Sequence, residues 1–218
     1  MAGIRKKPQH RQSWISQILF GLSVMCLLSG LVCLAWAVWP YSTDGVQIDI
    51  PAGVLPVAPE GTGYASLADY NLGVSWPRWL RLGDKGSIDV FLTGDVEAVD
   101  SSGNQMNQIV LVDITLSRLR VSPAGLVQYN LAPGADLEIS RVVDADQKGE
   151  FPGKVLVSFG FYDEAKDELV PVPVAVVDIL INVRSLWGLE RGIVLWLGFV
   201  GLVLWGVLFL LGRYLQIK

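Results

Sequence analysis

The sequence predicts an all-β domain, a β-sandwich, flanked by two transmembrane α-helices. Three observations predict it. First, Ile15–Val38 and Gly192–Leu211 are long apolar stretches. Each matches the ~20 residues that cross a ~30 Å hydrocarbon core at a rise of ~1.5 Å per residue. Second, short alternating segments separated by Gly/Pro turns fill the region between them. Third, residues 40–191 hold 11 basic and all 21 acidic side chains, a net −10, whereas the two ends carry +6.

Those six charges are Arg5, Lys6, Lys7, Arg11, Arg213 and Lys218. An excess of Lys and Arg beside a span marks the cytoplasmic side. The expected topology is therefore two-pass in the cell membrane, with both termini inside and residues 40–191 extracytoplasmic. The domain plan is a basic tail (1–13), a first span (14–39), a Pro/Gly-rich connection (40–69) and the sandwich (70–185). A second span with an interfacial start (186–212) and a tail (213–218) complete it. Ala35-Trp36-Ala37 also matches a signal-peptidase pattern, so cleavage after Ala37 is the alternative to retention. Retention is favoured by an apolar run about twice the usual ~7–15 residues and by the aromatic belt Trp36, Trp39 and Tyr41.

The elements follow in order. Val46–Ile50 alternates and reads as a short first strand within a connection punctuated by Pro51, Pro56 and Pro59. Tyr70–Trp76 is a strand ended by Pro77. Gly83-Asp84-Lys85-Gly86 is turn chemistry leading into the alternating Ser87–Thr93. Ser101–Asn104 is a polar loop, and Ile109–Val121 one long strand, apolar on both faces at its start. In its second half, the rows Ile114/Leu116/Arg118/Arg120 and Thr115/Ser117/Leu119 predict one covered and one wet face. Pro123–Gly125 turns into Leu126–Leu131, and Pro133-Gly134 into Leu137–Val143. Asp144–Gly153 reads as a polar loop before Lys154–Tyr162, Asp163–Glu168 as an acidic hairpin tip, and Leu169–Val183 as the last strand. Pro171 and Pro173 lack the N–H a ladder needs, which puts that stretch on a sheet edge.

The order strand, Pro77, Leu82-Gly83 turn, alternating strand resembles the opening hairpin of bacterial immunoglobulin-like domains, over residues 70–185. The Cys–Trp–Cys constellation of true immunoglobulin domains is absent. The resemblance implies an immunoglobulin-like β-sandwich and a role in adhesion, spacing or partner binding, since fold alone does not assign function. The last strand runs into the second span through Arg184–Gly188, so the sandwich is expected close to the membrane, with Trp187 at the interface.

Catalytic chemistry is hard to find. The single histidine, His10, precedes the first span, and Cys26 and Cys33 lie within it. Residues 40–191 therefore have no imidazole, thiol or disulfide, which excludes Ser-His-Asp and Cys-His machinery and the common zinc sites. Walker A, dinucleotide and nucleophile-elbow motifs are missing. Asp144, Asp146 and Glu150, around Gly149, are a candidate calcium loop that departs from EF-hand spacing. Asp163, Glu164, Asp167 and Glu168 cluster as a solvated tip rather than a glycosidase pair. Trp76-Pro77-Arg78-Trp79-Leu80-Arg81 is either a binding hot spot or core packing. Gly198, Gly201 and Gly206 provide patches for close helix contact.

The expectation is a non-enzymatic protein with no cofactor and no metal, an accessory subunit or assembly partner of an envelope complex. Its partners would be the lipid bilayer and integral membrane proteins, reached through the helices or the sandwich; the acidic middle argues against nucleic acid. The alternatives are a ligand-sensing or adhesive ectodomain, which with such short inner pieces would signal through a separate membrane protein, and more remotely a carboxylate-only hydrolase.

Overall fold

The computed structural model describes residues 9–51, 69–94, 108–131, 135–163 and 168–217. The chain divides into a β unit, Tyr41–Arg184, and a helical unit made of the two ends.

In the β unit, β1 (Thr43–Ile50), β2 (Tyr70–Pro77), β4 (Lys85–Gly94), β8 (Leu137–Asp144) and β6 (Arg120–Ser122) form one sheet, in that order. The other runs β3 (Trp79–Arg81), β10 (Glu168–Arg184), β9 (Gly149–Asp163), β5 (Gln108–Leu116), β7 (Val127–Leu131). All pairings are antiparallel except β3 with β10. The order β2-β4-β8-β6 facing β10-β9-β5 reproduces the ABED and GFC sheets of immunoglobulin-like domains. The β unit is an immunoglobulin-like sandwich. Alternation supplies its core, with Leu72, Val74, Ile88, Val90 and Leu92 from one sheet. They meet Val110, Val112, Val155, Val157, Phe159, Ile179 and Ile181 from the other. Each large side chain withdrawn from water contributes roughly 1.5–3 kcal/mol.

Three strands differ from the sequence expectation. β1 lies where the short first strand was expected but starts at Thr43 rather than Val46, and it pairs with β2 along its whole length, so the sandwich takes in part of the stretch read as a connection. β9 begins at Gly149, in the segment read as a loop, because Phe151 is a core residue and Gly153 admits β5 closely. A Cβ on Gly153 would lie 2.5 Å from the Thr115 carbonyl oxygen. The long strand Ile109–Val121 is broken. Arg118 sits at φ 66°, and the alternation slips by one there. Ile114 and Leu116 are buried before the break and Leu119 after it, leaving Arg118 and Arg120 exposed. The chain then leaves β5's sheet, and β6 pairs with β8 in the other.

Arg141, on β8, holds this crossing in place. It points inward and is fully buried. Its guanidinium donates to the carbonyls of Pro123, Gly125 (3.3 Å) and Val112 (3.1 Å). These bonds pair backbone oxygens that the crossing would otherwise strand in an apolar interior. The edge assignment of Pro171 and Pro173 agrees with the structure. Among the described residues β10 pairs with β3 only at Asn182–Arg184 and its outer side has no strand alongside either proline, and the β9 register shifts between Pro173 and Ala175.

The helical unit is an antiparallel pair, α1 (Gln9–Val38) and α2 (Arg191–Ile217). Ser16, Leu19, Ser23, Cys26, Gly30, Cys33 and Ala37 repeat at spacings of three and four and face inward. So do Val194, Gly198, Gly201, Trp205, Leu208, Gly212 and Leu215 on α2. This 3.5-residue repeat is the seam of a left-handed helix pair. Small residues at its centre bring the backbones close. A Cβ on Gly30 would lie 3.0 Å from the Gly198 carbonyl oxygen, and one on Gly198 2.7 Å from Leu34 Cγ. At one end Arg191 Nε donates to Ala37 O (3.1 Å), satisfying a carbonyl left open at the end of α1. Gly198 and Gly201, expected to receive a separate partner helix, are thus occupied by α1 of the same chain. Gly206 faces open space.

The seam predicts a specific cross-link. A Cβ on Gly212 lies 3.9 Å from Leu19 Cβ, within the usual disulfide range of about 3.5–4.5 Å. In a background lacking Cys26 and Cys33, Leu19→Cys with Gly212→Cys should form an intramolecular disulfide, seen as a faster-migrating monomer on non-reducing gels. Adding Gly198→Leu should suppress it. A pair that stays reduced under mild oxidant would reject the seam.

Candidate functional site

Alternation that buries one face of β5, β9 and β10 turns the other outward. It presents Asp113 and Thr115 on β5, Lys154 and Leu156 on β9, and Val176, Asp178 and Leu180 on β10. Within the β unit, no third layer covers this face among the described residues. Asp44, Trp76 and Arg78 rise at its rim and enclose an open concavity of about 1090 Å³. Val176 (56% exposed) and Leu180 (46%) are large apolar side chains left on its surface. The charges around them are paired across solvent, Arg78 with Asp44 at 4.0 Å and Lys154 with Asp178 at 3.7 Å. Exposed pairs of this kind hold weakly and exchange readily for a partner's charges.

The concavity contains neither an imidazole nor a thiol, and two of its three carboxylates face cations. Its floor mixes apolar and charged groups, since Asp178 lies between Val176 and Leu180 on β10, with Lys154 and Leu156 opposite on β9. Farther along the β5–β9 ladder, Leu111 and Ser158 are opposed and both 3% exposed, so the exposed patch ends there.

A second cavity, about 530 Å³, lies where β1, β2 and β4 end, between Ile50, Tyr70 and Gly94. Tyr70 packs its ring 5.7 Å from Phe159, and its buried hydroxyl has no hydrogen-bond partner among the described residues. Burial raises its phenol above the ordinary 10.0, because the phenolate would lose its hydration.

The sequence candidates are distributed as follows. Trp76 closes β2 in one sheet and Trp79 opens β3 in the other, both half-buried, so the Trp-Pro-Arg-Trp run is where the chain changes sheet. Arg81 is buried, paired with Asp84 at 3.2 Å and stacked 5.2 Å over the Trp79 ring. Trp76 and Arg78 alone reach the concavity. The calcium candidates diverge: Asp144 faces Lys85 (3.4 Å), Asp146 faces Arg120 (3.4 Å), and Glu150 accepts from Asn182 (3.4 Å). No group of three metal-ligating side chains occurs among the described residues. At the acidic tip, Asp163 and Glu168 are opposed in the ladder, and residues 164–167 lie outside the described residues. So do the loop at Ser101–Asn104 and the turn at Pro133-Gly134.

No family model matches the chain, and no curated protein does. Solved structures share its sandwich at low similarity. A native alpha-2-macroglobulin from Escherichia coli, from domain MG7 to the C-terminus, is 18% identical over 54% of this chain and 17% of its own, with a TM-score of 0.39. A CARDB domain from Pyrococcus furiosus, in complex with di-metal ions, is 13% identical over 51% of this chain and 84% of its own, TM-score 0.32. An MSP-domain-like protein of Caenorhabditis elegans is 16% identical over 48% and 91%, TM-score 0.27. These scores carry no functional argument, and the fold class stands on the strand order.

The concavity was missed from sequence, although Leu156, Val176 and Leu180 in outward register were its signal. Tyr70 offers the sharpest solution test. The neutral phenol stabilises the fold below pH 10, and that stability is lost as pH rises from 10.0 through the raised folded value. Tyr70→Phe should therefore flatten the alkaline limb of melting temperature against pH. Near neutrality it should be neutral or stabilising by about 1 kcal/mol, since it removes an unpaired hydroxyl. A substantial loss of stability at pH 7 would mean that the hydroxyl is bonded.

Proposed function

We propose that this chain is a two-span membrane protein with both termini in the cytoplasm and the sandwich outside. In this reading it is a non-enzymatic accessory subunit of an envelope complex. One observation carries the membrane part. The helix pair has small residues at the centre of its seam and turns most of its large apolar ones outward. Only 17% and 11% of the most apolar windows of Trp14–Val38 and Arg191–Leu215 are buried within the protein, unlike core helices of a soluble fold. Aromatic residues support it from both ends of the pair, Trp14 and Tyr214 at one, Trp36, Trp39 and Trp187 at the other. The charge partition supplies the orientation.

The accessory role is supported by the concavity on β5, β9 and β10, and the non-enzymatic reading by the lack of His and Cys in residues 40–191. A partner protein would cover Val176 and Leu180 and exchange charges with Lys154 and Asp178.

Single cysteines at Ser13 and Ser117, in a background without Cys26 and Cys33, test the topology in intact cells with an impermeant thiol reagent. Ser117→Cys should label and Ser13→Cys only after lysis; the reverse pattern would refute the orientation. For the docking face, Val176→Asp with Leu180→Asp should abolish co-purification of partner proteins in mild detergent while the β-type circular dichroism spectrum is kept. Retention of the same partners by the double variant would exclude this surface.

A further inference from the structure

At the end of the helix pair opposite Arg191 the seam opens. Ser16, Phe20, Leu208, Phe209, Gly212 and Arg213 line a cleft of about 300 Å³ between the start of α1 and the end of α2. The opening follows from the residues. Gly212 contributes no side chain and Ser16 a short one, so the walls are Phe20, Leu208 and Phe209. Phe209 is held by stacking on Trp205 (6.0 Å between ring centroids). At the mouth stands Arg213, exposed and in no ion pair among the described residues. The sequence has no Asp or Glu before Asp44 or after Glu190, whereas Arg5, Lys6 and Lys7 precede α1, Arg11 lies in its first turn, and Lys218 follows α2. This end of the pair is thus cationic with no acidic side chain of its own.

We propose that this cleft binds one anionic phospholipid, its phosphate on Arg213 and an acyl chain along Phe20, Leu208 and Phe209. The inference rests on the membrane reading above. The chemistry is complementary at both levels. A guanidinium presents a planar fork that matches phosphate oxygens, and its aliphatic stem lies along apolar surface while the head reaches the interface. Basic clefts between helices on the cytoplasmic side are suited to acidic head groups. A free phosphate would have no use for two aromatic walls, and a zwitterionic lipid would leave the surplus positive charge uncompensated.

The test uses the full chain, purified in mild detergent and exchanged into nanodiscs of mixed phosphatidylglycerol and phosphatidylcholine, with bound lipid counted by native mass spectrometry. Wild type should retain one phosphatidylglycerol in preference to phosphatidylcholine, and excess inorganic phosphate should not displace it. Arg213→Gln should lower that retention roughly fivefold, the effect of one basic residue at an anionic surface. Arg213→Lys should restore part of it. Leu208→Trp, which fills the cleft and keeps the cation, should lower retention of either lipid. Equal retention by wild type and Arg213→Gln, or no preference between the lipids, would overturn the proposal. Displacement by phosphate alone would reassign the site to a free anion, and a second protein helix found in the cleft would also refute it. Alkaline washing of native membranes separates the two levels: release of wild type rejects the membrane reading and this site together. Resistance to the wash without lipid selectivity rejects the site alone.

Discussion

The sandwich depends on the clamp formed where the chain passes from one sheet to the other between Pro77 and Lys85. Leu82 N–H donates to Arg184 O (2.8 Å) at the end of β10, while Gly83 N–H donates to Ala145 O (2.8 Å) just beyond β8. Ala145 N–H returns a bond to Asp84 O (3.0 Å). One short turn therefore holds both sheets. The Arg81–Asp84 pair is buried inside it, at 3% and 6% side-chain exposure. Taking both charges out of water is costly, and the contact of the Arg81 guanidinium with the Trp79 ring offsets part of that cost. Loss of either partner alone would leave an uncompensated buried charge, at about 3–5 kcal/mol. With this turn in place, β2 and β4 pair on one side and β3 adds to β10 on the other, which sets the order of everything that follows.

The helices solve a different problem. In the membrane setting proposed for them, apolar side chains would gain little by meeting one another, and association would rely on close backbone approach and van der Waals fit. Gly30 against Gly198 and Gly201 provides that approach, and Ser16, Ser23 and Ala37 continue the same narrow stripe. Many large residues off the stripe, Phe20, Met25, Leu28, Trp196 and Phe199 among them, face outward. The pair thus has an internal reason to stay together, and Gly30, Gly198 and Gly201 are accounted for by one another.

Legibility varied from residue to residue. Alternation located most strands to within a few positions, and Pro171 and Pro173 were read correctly as edge residues because a missing N–H has one structural meaning. Arg118 defeated the reading, since a single left-handed residue shifts the phase of all that follows and no composition signal marks an arginine for that conformation. The Trp-Pro-Arg-Trp run stayed open between hot spot and core packing, because aromatic and cationic residues serve binding and packing alike. No local pattern marks Arg141 as a buried charge. Only its three carbonyl acceptors, from Val112, Pro123 and Gly125, reveal why a charge lies between the sheets.

By itself the sequence determined what depends on local pattern and on solvent. It separated apolar helices from alternating strands, placed the acidic middle between basic ends, and excluded catalysis that needs a histidine or cysteine between residues 40 and 191. Tertiary structure alone decided which faces meet. The outward register of Leu156, Val176 and Leu180 becomes a surface only when β5, β9 and β10 lie side by side, and neighbours across a sheet are set by pairing between distant segments. Likewise, Gly198 identifies a smooth patch in sequence, but only the antiparallel pairing shows that Gly30 and Leu34 fill it. Period and charge are properties of one segment; contact is a property of two.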